Sequence, residues 1–159
     1  MRSIASAALL SLAAAAAAAA GTVNVNFVDP DKFFDAGNSK HDVPANLKEL
    51  ENHMKQLGRY LPDGQVLNIS VLDVDLAGYM KPTRSGQEVR IAKSADWPRI
   101  TLRYTLEANG APIKSGEEVL ADLNFGRHGQ TYAYSTRDPL HHEKVMLESW
   151  LRARFSADY

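Results

Sequence analysis

Apolar and polar positions alternate with period two along Val23-Asn24-Val25-Asn26-Phe27-Val28, the pattern of a strand with one buried face. The alternation stops at Asp29-Pro30, where a capping carboxylate followed by proline predicts a turn or brief helix over 31–36. The period then changes. Leu47, Leu50, Met54, Leu57 and Leu61 recur at steps of three and four, which predicts a helix from about Pro44 to Tyr60 carrying one apolar stripe. Pro44 and the capping-box spacing Asn46-x-x-Glu49 mark its start; Gly58 and Pro62-Asp63-Gly64 mark its end.

Val66 to Leu76 is dense in Val, Ile and Leu between turn signals and predicts a long strand partly covered on both faces. Gly78 to Gly86 reads as a polar loop, and Glu88 to Ile91 as a short strand. Arg99 to Glu107 is a stronger strand, with Ile100, Leu102, Tyr104 and Leu106 inward and Arg99, Thr101, Arg103 and Thr105 outward. Asn109-Gly110 tolerates the positive φ of a tight hairpin turn, so a return strand follows, with Val119, Ala121, Leu123 and Phe125 expected on its buried face. Gly126-Arg127-His128-Gly129 turns into Gln130 to Ser135, where Tyr132 and Tyr134 share a face. Asp138-Pro139 opens a last helix bearing Leu140, Leu147, Trp150, Leu151 and Phe155. This order predicts an α+β fold: an antiparallel sheet of about five strands with two main helices packed on one face.

The N-terminus adds a targeting signal. Arg2, an apolar stretch from Ile4, alanines running to Ala20, and the small pair Ala18 and Ala20 predict a cleavable signal peptide over residues 1–20. The remainder, 21–159, is sized for a single domain. No second long apolar run follows, so no membrane span is expected after cleavage. With 18 Lys and Arg against 19 Asp and Glu, both scattered, the chain lacks the clustered cationic footprint of a nucleic-acid binder. The absence of cysteine removes disulfides and lipid attachment through a lipobox thiol, so the expected location is the periplasm or the medium, free of a tether.

Five ordered segments carry a family resemblance: Phe27-Val28-Asp29-Pro30, Leu61-Pro62-Asp63-Gly64-Gln65, 72–78 (Leu-Asp-Val-Asp-Leu-Ala-Gly), Asp96-Trp97-Pro98-Arg99-Ile100, and 143–150 ending in Glu148-Ser149-Trp150. Together they resemble an uncharacterised exported bacterial family, domain of unknown function 3016. The resemblance implies an envelope location and a lone domain, and brings no activity, cofactor or catalytic residue with it.

Candidate chemistry is sparse. Asp73 and Asp75 stand two apart on one strand and share a face, an arrangement that can hold a divalent cation or divide acid and base roles. The plainer expectation is that they bond to the following turn or pair with Arg99 or Arg103. His41, His53, His128, His141 and His142 lack metal-ligand spacing: the adjacent pair points about 100° apart on a helix, and Glu49 with His53 makes an ordinary i, i+4 pair. No G-x-S-x-G elbow is present, and Gly126 to Gly129 does not open a helix as a phosphate loop would. Trp97, Arg99 and Arg103 are of the residue types that anchor interfaces. The expected function is a non-enzymatic binding or envelope accessory module, engaging an envelope protein or small ligand, with no cofactor and no metal site. The alternative is a metal-dependent or acid/base enzyme using Asp73 and Asp75.

Overall fold

The computed structural model describes residues 20–39, 41–93, 95–125, 132–133, 138 and 140–156. The signal peptide expected over 1–20 lies almost wholly outside them, as do His128 with its loop and Tyr134.

The chain is α+β, with two helices over one face of a mostly antiparallel sheet. Strands β1 (Thr22–Phe27), β2 (Gln65–Asp75), β5 (Arg99–Ala108) and β6 (Ala111–Ala121) form the main sheet in the order β1-β2-β5-β6. β1 lies parallel to β2, because the helix α1 (Asp42–Gln56) and a 3-10 turn at Leu57–Tyr60 carry the chain back between them; the other two pairings are antiparallel. The remaining strands form a separate small sheet in the order β3-β4-β7, from β3 (Tyr79–Pro82), β4 (Glu88–Ala92) and β7 (Tyr132–Ala133). The strands therefore divide between two sheets, and the stretch read as a polar loop after Gly78 contributes β3. The second helix, α2, runs His141–Phe155.

Leu67, Ile69 and Val71 of β2 face Leu106, Tyr104 and Leu102 of β5, and the two helices press Leu50, Met54, Leu147 and Leu151 onto that surface. Each of these four side chains is at most 1% exposed, and burial of that kind contributes roughly 1.5–3 kcal/mol apiece. Tyr104, Trp150 and Phe155 meet edge to face, with ring centroids 5.2–5.8 Å apart. The opposite face of the sheet carries polar side chains, including the chain of hydrogen bonds Asn24 to Asn68 to Glu107 and the pair Arg103–Glu117.

Several local expectations are corrected. Asp29 does not cap with its side chain; it adopts φ 52° and its carboxylate takes Lys32. Asn46 is no cap either, since it lies inside α1 and donates to the Ala36 carbonyl, while the Ser39 hydroxyl accepts the His41 and Asp42 N–H groups at the helix start. The hairpin turn is as expected, with Asn109 at φ 54° and Gly110 at φ 75°. Its return strand differs: β6 ends at Ala121, Val119 and Leu123 are 66% and 70% exposed, and Leu120 is the residue that enters the core. The inward row of β6 holds Lys114, Gly116 and Glu118, so the apolar side of this strand is short.

Candidate functional site

Strand β2 carries an irregularity at Leu72, where the pairing with β5 slips between Val71 and Asp73. The extra residue keeps Asp73 and Asp75 on the open face, opposite Thr101 and Arg99. Each carboxylate then meets a partner. Asp73 Oδ1 accepts the Phe34 N–H at 2.8 Å, and Asp75 Oδ2 accepts Arg99 Nη2 at 2.6 Å and Nε at 3.0 Å. The segment containing Phe34 is laid along β2 by a parallel bridge of Asp35 with Asp75, made of two hydrogen bonds: the Asp35 N–H on the Val74 carbonyl and the Leu76 N–H on the Asp35 carbonyl.

This lay-down exposes Phe34 to solvent at 77%, while its neighbour Phe33 packs edge to face on Phe27. Phe34, Asp75, Leu76, Gly78, Asp96, Trp97 and Arg99 line a cleft of about 270 Å³. Trp97 sits on its rim, 36% exposed. On the other side of Phe34 a larger hollow of about 880 Å³ runs past Phe33, Asp31, Val43, Tyr79 and Met80. Phe34 is thus a ridge between two concavities, and the exposed ring of Tyr79 borders the second.

The floor beneath is polar and tightly tied. Arg90, with a side chain only 8% exposed, donates to both oxygens of Asp35, to Asn38 Oδ1, and to the carbonyls of Ala77 and Gly78. From the other side the fully buried Glu143, in the first turn of α2, accepts the Ala77 N–H at 2.9 Å. The Ala77 peptide is therefore gripped by an arginine on the small sheet and a glutamate on the second helix.

Of the residues singled out from sequence, Asp75, Trp97 and Arg99 come together in the cleft, with Asp73 adjacent through the Phe34 peptide. Arg103 does not join them: it lies four residues along β5, roughly 13 Å away, paired with Glu117 on the open face. None of the described histidines lines the cleft. His53 Nε2 bonds the Lys144 carbonyl, and burial holds its pKa below the usual value, with that carbonyl bond opposing. Glu49 pairs with Lys144 rather than His53. Among the described residues no group of three His, Asp or Glu side chains is placed to hold a metal ion. Sequence reasoning passes over Phe34, Tyr79, Asp35 and Arg90; the one available signal is the Phe33-Phe34 doublet, an apolar excess in a polar segment.

A family model described as a protein of unknown function, DUF3016, matches residues 21–153. The chain belongs to that family. Within this DUF3016 chain the matched span contains the whole cleft, from Phe34 to Arg99, and both sheets. No curated protein matches it. A solved structure of a minor lipoprotein from Acinetobacter baumannii is similar at 12% identity and a TM-score of 0.32, over 87% of this chain and 92% of that one. No helix among the described residues is long and apolar enough to cross a membrane.

Proposed function

We propose that this DUF3016 chain is exported and serves as a binding or accessory module of the cell envelope, docking a polypeptide partner on the Phe34–Trp97–Arg99 cleft. The export reading rests on residues 1–20, whose basic, apolar and small-residue order is that of a cleavable leader. The observation that carries the binding reading is the ridge itself. A phenylalanine 77% exposed, backed by a half-exposed arginine and a tryptophan on the same rim, contributes nothing to the core and has the composition of an interface anchor. The Asp73 bond to its N–H and the Asp35 bridge fix the backbone that carries the ring, which lowers the backbone ordering cost of binding.

The alternative use of Asp73 and Asp75 as acid and base draws no support from this geometry. Such a role needs a carboxylate presented to substrate, whereas Asp73 holds the Phe34 peptide and Asp75 holds Arg99.

A photo-crosslinking residue placed at Trp97, and separately at Thr105 on the open face, tests the proposal in envelope fractions. The expected result is one discrete adduct from position 97, absent from position 105, and weakened about tenfold by Phe34→Ala. Equal adducts from both positions, or an adduct indifferent to Phe34→Ala, sinks it. N-terminal sequencing of the exported material is expected to begin at Gly21.

A further inference from the structure

The last strand of the main sheet, β6, has β5 as its only strand neighbour among the described residues. Its hydrogen-bonding parity can be read from the end of the ladder. The Asp122 N–H bonds the Pro98 carbonyl, so 98 with 122 is a bonded pair, and by alternation Leu120, Glu118, Gly116 and Lys114 also turn their N–H and C=O groups toward β5. Ser115, Glu117 and Val119 turn theirs outward, away from the sheet. The strand also exposes two large apolar side chains, Ile113 at 56% and Val119 at 66%. An outward row of backbone groups beside exposed β-branched residues is a template for another strand.

We infer that the occupant is a second copy of this chain, paired antiparallel through β6 about a two-fold axis at Gly116. The choice of partner comes from charge. An axis at Glu117 or at Glu118 would set two carboxylates face to face, which disfavours pairing. An axis at Gly116 sets Lys114 opposite Glu118 of the second copy and Ser115 opposite its Glu117, each twice by symmetry, with no like charges opposed; Ile113, the extra residue where β6 slips against β5, comes beside Val119 of the second copy. In this register the Ser115 and Glu117 pairs are those whose backbone groups point outward, so the exposed donors and acceptors meet. Gly116 suits the axis: its inner side is filled by the Tyr104 ring, whose hydroxyl would lie 2.9 Å from any Cβ there. The product is one continuous eight-stranded sheet with helices of both copies on the same side. The Phe34–Trp97 cleft lies at β2 and the β3 side and stays open.

Sedimentation equilibrium on the purified protein tests the register with substitutions confined to exposed positions. Val119→Glu alone and Ile113→Lys alone are each expected to weaken the dimer at least tenfold. The two together restore it, because lysine at 113 then lies beside glutamate at 119 of the second copy. Thermal midpoints of the three variants, expected close to wild type, separate loss of pairing from loss of fold. A wild-type chain that stays monomeric at high micromolar concentration overturns the inference and points to a strand from another protein. Single variants that dimerise normally, or a double variant that fails to recover, overturn it too.

Discussion

The two sheets are stabilised by different physics. The main sheet and its helices share a continuous apolar core that includes Leu50, Met54, Leu67, Leu102, Leu147 and Leu151, whereas the described residues behind the small sheet form the small buried cluster Ala77, Ala92 and Phe125. Among the described residues, a cluster of two alanines and one phenylalanine offers these short strands little apolar burial. Arg90 anchors the small sheet instead by polar bonds: its buried guanidinium ties β4 to Asp35, Asn38 and the Ala77 and Gly78 carbonyls at the end of β2. A large region can be secured by many interchangeable contacts. The small one is held here by a few polar ties, the Arg90 fork, Glu143 on the Ala77 N–H and the Gly78 N–H on the Asp96 carbonyl, and the proposed cleft is built along that seam.

The largest expected effect breaks this comparison directly. Arg90→Ala strands the Asp35 carboxylate and two carbonyls in a poorly solvated place, which costs about 3–5 kcal/mol when a buried pair is broken on one side. Arg90→Lys recovers little, since one ammonium cannot serve both Asp35 oxygens, Asn38 and two carbonyls at once. Leu147→Ala, at 0% exposure, costs a comparable 2–5 kcal/mol by opening a cavity, but its consequence is global. Hydrogen exchange distinguishes them: Arg90→Ala is expected to deprotect β3 and β4 first, Leu147→Ala to lower protection throughout. If Arg90→Ala exchanges uniformly, the two regions are not separate units and the comparison fails.

The contrast also decides what the sequence discloses. Both helices, β5 and the hairpin turn are legible because a wide apolar stripe or a strict alternation is the direct imprint of burial and Asn109-Gly110 fixes the turn; the return strand is not, since β6 buries Leu120 where Val119 and Leu123 are expected. The small sheet leaves no such imprint: Tyr79-Met80-Lys81-Pro82 alternates nothing and ends in proline, so its strand is visible only through its partner, Ile91 to Glu88. Period two is likewise silent on strand direction. The order strand, helix, strand carries the signal for the parallel β1–β2 pair, which the alternation at Val23 to Phe27 does not. At the cleft, Trp97 and Arg99 announce themselves by residue type, but Phe34 matters because Asp73 and Asp35 pin its backbone to β2, a contact 39 residues away in the chain.

A middle-sized effect sharpens the seam. Gly78 follows the gripped Ala77 peptide with φ +82°, its N–H bonds the Asp96 carbonyl, and a Cβ there would collide with the Ile91 carbonyl of β4. Gly78→Ala is expected to cost about 1–3 kcal/mol, from the unfavourable backbone region and from pushing β4 off the seam. Gly64, also at positive φ (+73°) but with open space around its Cβ position, is the control. Denaturant unfolding that shows equal losses for Gly78→Ala and Gly64→Ala would mean that backbone strain alone, and no contact across the seam, limits substitution at 78.

The smallest effect is a pH dependence that the two regions divide between two histidines. His53 lies half-buried between the helices, within reach of the charges of Lys144, Glu148 and Arg59; burial depresses its pKa below about 6.5, against the pull of the Lys144 carbonyl. His142 stacks edge to face on Phe125 behind the small sheet, and burial together with the His141 charge depresses it as well. In both cases the unfolded chain takes up the proton first. The stability each contributes is present above pH 6.5 and is lost as pH falls from there through the folded-state value. The thermal midpoint should therefore drop between pH 7.5 and 5.5. His53→Gln and His142→Gln should each flatten part of that slope, with the His142 part appearing as reduced exchange protection at β3 and β4 and the His53 part along the helices. A slope unchanged by both substitutions would place the titrating groups elsewhere. A slope removed wholly by one would mean that the helix layer and the small sheet respond to acid as a single unit.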